Sequence, residues 1–179
     1  ARAALEAGGP ALQRGHEAAR LVTLEARYGL ERGAPPAELA RLRLALEDAL
    51  ARLEEQWRRA PEREGGVGYL LYGRRRELVG EFTRIALALE GVEAGTRTAF
   101  ARVLALQELG TLARRAGALA VDADTIRSEL LAPGHGVLVY LPTSSRSHVF
   151  ALDQEGLVHA ELASSRTLEP LRLAYLSHL

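Results

Sequence analysis

The chain has 179 residues, 47% of them hydrophobic, with 23 basic and 23 acidic side chains; this argues against disorder and leaves no net field to draw nucleic acid or an acidic membrane. Cys, Met, Asn and Lys are absent, so every basic residue is arginine. Thiol nucleophiles, cysteine-held zinc or iron–sulfur centres, Walker A loops, Schiff-base lysines and Ser-x-x-Lys acylation sites are thereby excluded.

Pro10, after Gly8-Gly9, is expected to restart a helix whose stripe is Leu12, Ala19, Val22, Ala26 and Leu30, ending near Gly29 to Gly33. A second helix opens on Pro35-Pro36, where missing donors do no harm, and runs Leu39, Leu42, Leu46, Leu50, Leu53, Trp57 before Pro61. Residues 61–68 are polar and glycine-rich and read as a hinge. A third helix carries Leu78, Phe82, Ile85 and Leu89 and stops at Gly91; a fourth starts after Gly95 or Thr96 and carries Phe100, Val103, Leu104, Leu109 and Leu112 before Gly117. Such short connections predict two antiparallel helix pairs, TPR-adjacent but without a clean 34-residue repeat. The seam Leu42, Leu46, Leu53, Trp57 should pack with Leu78, Phe82 and Ile85. Asp124 is expected to cap a short helix running to Leu131, and Thr167 a last one from Leu168 to about His178.

Between these two, helix spacing gives way to strands: Gly136 to Leu141, Arg146 to Leu152 and Gly156 to Leu162, separated by short turns that predict an antiparallel meander. In the second turn Asp153 can accept from the backbone ahead of it, and Gly156 can take a positive φ. The first run is apolar throughout, as in a strand covered on both faces. The third alternates, Val158, Ala160 and Leu162 one way and His159 and Glu161 the other. Three strands and one helix cannot cover both faces, so more sheet is expected to follow. The element by itself should self-associate or leave Val137, Val139 and Phe150 partly exposed.

The order of features from Asp122 onward resembles the opening of a CHAT domain, the caspase-like domain found behind TPR-type helical arrays in bacteria. The residues that carry this are the short helix Thr125 to Leu131, the Pro133-Gly134 stop, Val137 to Leu141, a polar turn ending in Ser147, Val149 to Leu152, the hairpin Asp153 to Gly156, and a following helix. The sequence departs from the family at Val139, where many members have an acidic residue before the aromatic. The resemblance implies a mainly α chain in two parts. Residues 1–117 would be a helical bundle for protein–protein interaction, and residues 118–179 the start of an α/β caspase-like domain. It further implies that the whole protein is a cysteine peptidase. The family's catalytic His and Cys lie beyond the segment matching residue 179, so none is carried over.

The remaining side chains read as structure. Gly65-Gly-Val-Gly68 follows no strand and reads as part of the hinge, not a phosphate cradle. Ser144, Ser145 and Ser147 beside His148 lack a nucleophile elbow, and an orienting acid would have to be Asp153; they read as a solvated turn. His148 and His159 are expected to pair across strands at the sheet surface, and the five histidines never form H-E-x-x-H. Arg74-Arg75-Arg76, near Tyr69 and Tyr72, could grip a phosphate but reads as a wet helix face diluted by Glu77 and Glu81. Glu54-Glu55 read as helix surface and Trp57 as a core anchor. No catalytic, cofactor or metal residue is therefore assigned. A protein partner is expected, with nucleic acid and membrane not expected. No apolar run nears ~18–20 residues and no signal-peptide layout opens the chain, which predicts a cytoplasmic location. Lacking an initiator Met, the chain reads as processed or as a fragment. The competing expectation is a stand-alone helical adapter whose β-element offers an edge to a partner strand.

Overall fold

The computed structural model describes residues 2–59, 67–111, 122–168 and 170. They form a mainly helical chain followed by a three-stranded antiparallel sheet and a short helix, and they divide into two compact units, Ala1–Ile85 and Ala86–Leu179. The sequence division after residue 117 followed the change of hydrophobic period. The compact units part instead within a helix.

In the first unit, α1 (Arg2–Glu31) passes through Gly8-Gly9-Pro10 without a restart. Gly9 has no Cβ to clash with the proline ring, which removes part of the usual bar to helix before proline. Gly33 then takes φ 66°, and the Ala34 N–H returns to the Gly29 carbonyl at 2.8 Å, closing the helix end as a left-handed glycine does. α2 (Pro36–Arg59) starts at the second proline, with the Pro35 carbonyl accepting from Glu38 and Leu39. Along α1 the buried positions Ala19, Thr23, Ala26 and Gly29 are small. A Cβ on Gly29 would lie 2.7 Å from Leu42 Cδ1, so this face receives the leucines of α2 directly. Leu42, Leu46, Leu50 and Leu53 of α2 are buried, as are Leu78, Phe82 and Ile85 of α3 (Val67–Thr111), and the Arg43 guanidinium sits over the Phe82 ring. The expected seam is thus in the core. The side chains of Leu12 and Trp57, and Gly65 and Gly66 of the expected hinge, lie outside the described residues.

In the second unit, α3 is broken at Gly91, whose φ of 80° and ψ of 177° belong to a region open essentially to glycine alone. The helix resumes at once and not at Gly95 or Thr96, because Gly95 is used for contact. A Cβ there would lie 2.7 Å from the Ala86 carbonyl oxygen and the Leu87 Cα. Thr98 Oγ1 donates to Glu90 Oε2 at 2.6 Å across the same break. Ala99, Phe100, Val103 and Leu106 are buried, and the Phe100 ring meets Phe150 of the sheet at 5.7 Å. Leu112 and Gly117 of the expected fourth helix lie outside the described residues.

The short helix α4 (Ala123–Thr125), running into a π-turn at Ile126–Leu130, is capped by Asp122 and not by Asp124. The Thr125 N–H donates to the Asp122 carboxylate at 2.8 Å, a bond that holds this carboxyl below its usual range. Asp124, the second residue of the helix, instead pairs with Arg127 and Arg97. Strands β1 (Val137–Leu141), β2 (Ser147–Leu152) and β3 (Leu157–Leu162) pair in the order β1-β2-β3. In the β2–β3 turn, Asp153 accepts from the N–H groups of Glu155 and Gly156 at 2.8 and 3.0 Å, as its sequence position predicted. After β3, the helical turn at 165–168 is capped by Ser164, whose Oγ accepts from the Thr167 N–H at 3.2 Å. Thr167, the cap expected from sequence, lies inside that turn. Most of the expected last helix lies outside the described residues.

Candidate functional site

Antiparallel register sorts the sheet side chains into two faces. Val139, Phe150 and His159 form one row, with Leu141, His148 and Glu161 beside it, and Val139, Leu141, His148 and Phe150 are all buried. The opposite face carries Leu138, Ala151 and Val158 in one row and Tyr140, Val149 and Ala160 in the next, with Ser147 opposite Leu162. On that face Leu138 is 73% exposed and Val158 64%, and Tyr140 and Leu162 are exposed as well. Two expectations change here. β1 is covered on one face only; Val137 is partly exposed as expected, but the strongly exposed residues of β1 are Leu138 and Tyr140, while Val139 and Phe150 are buried. The alternation of β3 was read correctly, but its polar side, His159 and Glu161, shares the face of the buried Phe150, and its apolar side faces outward.

The histidine pair forms under the sheet and not at its surface. His148 Nδ1 lies 3.1 Å from His159 Nε2, with the rings stacked at 5.3 Å, and Phe150 packs on His159 at 4.9 Å. One nitrogen carries the shared proton and the other accepts it. Burial holds His159 below the ordinary histidine range, with Glu161 opposing. The Ser-His-Asp arrangement does not assemble. Asp153 is spent on its own turn at the far end of β2, and His148 Nδ1 is turned to His159. The β1–β2 turn is also not simply solvated. Thr143 and Ser147 are buried, Thr143 Oγ1 accepts from the Arg146 N–H at 3.2 Å, and Ser147 Oγ accepts from the Thr143 N–H at 3.4 Å.

In the helical unit the arginine run is not a wet face. Arg75 is 2% exposed and donates to Glu54 at 3.2 Å, joining α3 to α2, so Glu54 is a buried pair's acceptor and not free surface. Arg74 reaches His16 Nε2 of α1 at 2.9 Å. Burial, then Arg74 and Arg20, keep His16 below its usual range, so the imidazole is the acceptor of this bond; burial likewise lowers Arg74 and Arg75. Arg76 lies over the Tyr72 ring. Glu81, 1% exposed, accepts from Arg27 and Arg84, both at 2.9 Å. Three consecutive arginines fan across about 200° of a helix, and here Arg75 is the one whose direction brings it to Glu54 of the neighbouring helix. These pairs fix the three helices to one another. They present no assembled acid, base and nucleophile.

Among the described residues no group of three or more His, Asp or Glu side chains could hold a metal ion, and no helix is long and apolar enough to cross a membrane. The feature with a chemical demand left over is the open sheet face. Comparison with protein-family models, with curated proteins and with solved structures gave no match.

Proposed function

We propose that this chain is the non-catalytic helical and amino-terminal portion of a CHAT-type, caspase-like cysteine peptidase, which works in the cytoplasm, binds protein partners through its helices and positions the peptidase domain. The observation that supports this reading is the succession of elements in the second unit. A short helical segment ends at Leu130, the chain turns at Pro133 and Gly134 (φ 78°), and then come β1, a turn closed by Ser147, β2, the Asp153 to Gly156 hairpin, β3 and a new helical turn, in the order the family resemblance implies. The chain has no thiol and its His148 is committed to His159, so by itself it is inert toward peptides. The test is the gene sequence following Leu179 together with peptide-library assays of this chain and of the complete product. A His and a Cys, each after an apolar strand, with turnover lost on Cys→Ala, is the expected result. A stop codon shortly after Leu179, or turnover by this chain that vanishes in Ser145→Ala or His148→Ala, overturns it.

A second reading, a stand-alone helical adapter, is favoured by the sheet edges. β1 and β3 each pair only with β2 among the described residues, so each offers a row of backbone groups to a partner strand or a second copy. Strand-peptide binding and sedimentation at several concentrations check it.

A further inference from the structure

The helical unit holds a demand opposite in kind to that of the sheet, positive charge without a counter-charge. Arg27, Arg32, Arg43, Arg52, Arg75 and Arg84 each lie against a carboxylate, and Arg76 rests on the Tyr72 ring. Arg20 and Arg74 have no carboxylate partner among the described residues. The two meet at one place. Arg20 follows His16 by four residues on α1, so both project from the same side of that helix, and Arg74 of α3 puts Nη2 2.9 Å from His16 Nε2. Arg20 and Arg74 repel each other, and both disfavour a proton on His16. The opposing acids are weak here. Glu17 has the smallest influence on His16, and Glu77, which favours the charge on Arg74, is shared with Arg27 at 3.7 Å.

Arg74 also has an edge to spare. Its Nε is buried and makes no hydrogen bond, and it shares with Nη2 the side of the guanidinium that grips an oxyanion by two parallel bonds. A buried charged donor left unmatched is costly, so this edge favours a ligand that completes it. On the α2 side the Gln56 amide lies against Gly15, next to His16, with Oε1 buried and unpartnered; a half-turn of the amide exchanges that oxygen for an N–H donor.

We propose that His16, Arg20 and Arg74 form a binding site for a tetrahedral oxyanion of the phosphate class, between α1 and α3. Two positive charges without counter-ions match a dianion, whereas a single carboxylate offsets only half of them. The anion takes the Nε–Nη2 edge of Arg74, and Arg20 closes over it from the solvent side. Its charge cancels the field that keeps the imidazole neutral, so His16, released from Arg74, takes up a proton and turns from acceptor to donor. Arg20 is exposed and His16 only half-buried, which leaves the site open to a phosphate group carried on a larger molecule as well as to the free ion. The proposal is independent of the peptidase reading.

Calorimetry in Hepes buffer at constant ionic strength, with inorganic phosphate and phenyl phosphate as probes, tests it. Saturable one-to-one binding is expected, weakened roughly tenfold or more by Arg20→Gln and by Arg74→Gln. Arg41→Gln, which removes a charge from a side chain 76% exposed, should leave it unchanged. Binding of either probe supports the site, and the tighter one tells the free ion from a carried phosphate group. Because Arg20 is exposed, its substitution keeps the test valid even where Arg74→Gln disturbs the fold. Sulfate, a dianion at every pH used, gives a second readout. Its binding should tighten from pH 8 to pH 6 in the wild-type chain and not in His16→Gln, since only the imidazole takes up the linked proton. Absence of saturable binding, affinity unchanged in Arg20→Gln, equal weakening in Arg41→Gln, or sulfate profiles alike in wild type and His16→Gln would each overturn the proposal.

Discussion

His148 and His159 share one proton across 3.1 Å beneath the sheet, and His159 is held below its ordinary range mainly by burial, with Glu161 opposing. Folding then prefers the neutral imidazole. Above the unfolded value of about 6.5 the folded and unfolded chains are both neutral and no penalty exists. As pH falls through that value the unfolded chain takes up a proton that the folded one resists, and stability is lost until pH passes below the folded pKa. His16, lowered by burial and by Arg74 and Arg20, has the same sign in the helical unit. Urea unfolding from pH 8 to pH 5 should show stability decreasing below about 6.5, with a shallower decrease in His159→Phe. A profile that rises toward acid would contradict this.

Arg75 is buried against a partner that retains some solvent, Glu54. Glu54→Gln keeps the shape but removes the compensating charge, and should cost about 1–3 kcal/mol, less than for a fully enclosed pair because of that exposure. Replacing both, Arg75→Met with Glu54→Leu, removes the charge and its partner together. The double variant should be more stable than Glu54→Gln alone, as chemical denaturation of the two will show.

In the helical core, Leu46→Ala leaves a void in the apolar set that includes Leu42, Leu50, Leu78, Phe82 and Ile85, and a cost of ~2–5 kcal/mol is expected. Leu44, 64% exposed on the same helix, is the control, with a change within about 0.5 kcal/mol. Equal thermal shifts in the two would show that the buried face has been misassigned.

Gly91→Ala forces a Cβ onto a backbone at φ 80° and ψ 177° and should destabilise by about 1–3 kcal/mol. Space is not the difficulty there, as no heavy atom lies within 4 Å of the added carbon. Val92→Ala next to it, on a side chain open to solvent, should be nearly silent. Melting temperatures of the two variants separate conformational strain from lost packing.

What could be read without coordinates was whatever local chemistry decides. The leucine spacing of α2 marked its buried side, Asp153 and its glycine specified the hairpin, and Gly91 announced a helix break. What could not be read were choices between equivalents. The alternation along β3 separates two faces but does not say which one meets a helix, and here the apolar set Val158, Ala160 and Leu162 is left outside while His159 goes under. Asp122 and Asp124 are equally good caps by composition, and only the backbone of Asp122, already extended, places its carboxylate before the Thr125 N–H. Arg75 differs from Arg74 and Arg76 by nothing but its angle around the helix, and that angle brings it to Glu54.

The corner where β3 ends has a mechanical consequence. β3 is an outer antiparallel strand, so a pull on the chain beyond Leu162 would peel it from β2 one residue pair at a time, the weakest way to load a ladder. Two links stand ahead of that peeling: the Ser165 N–H to Thr143 carbonyl bond at 2.8 Å, and the Arg146 to Glu161 ion pair at 3.0 Å, which spans β2 and β3 at the same end. Tension arriving from the carboxyl-terminal side meets this clasp first, so the sheet resists traction from that direction until the clasp opens, and then gives way in small steps.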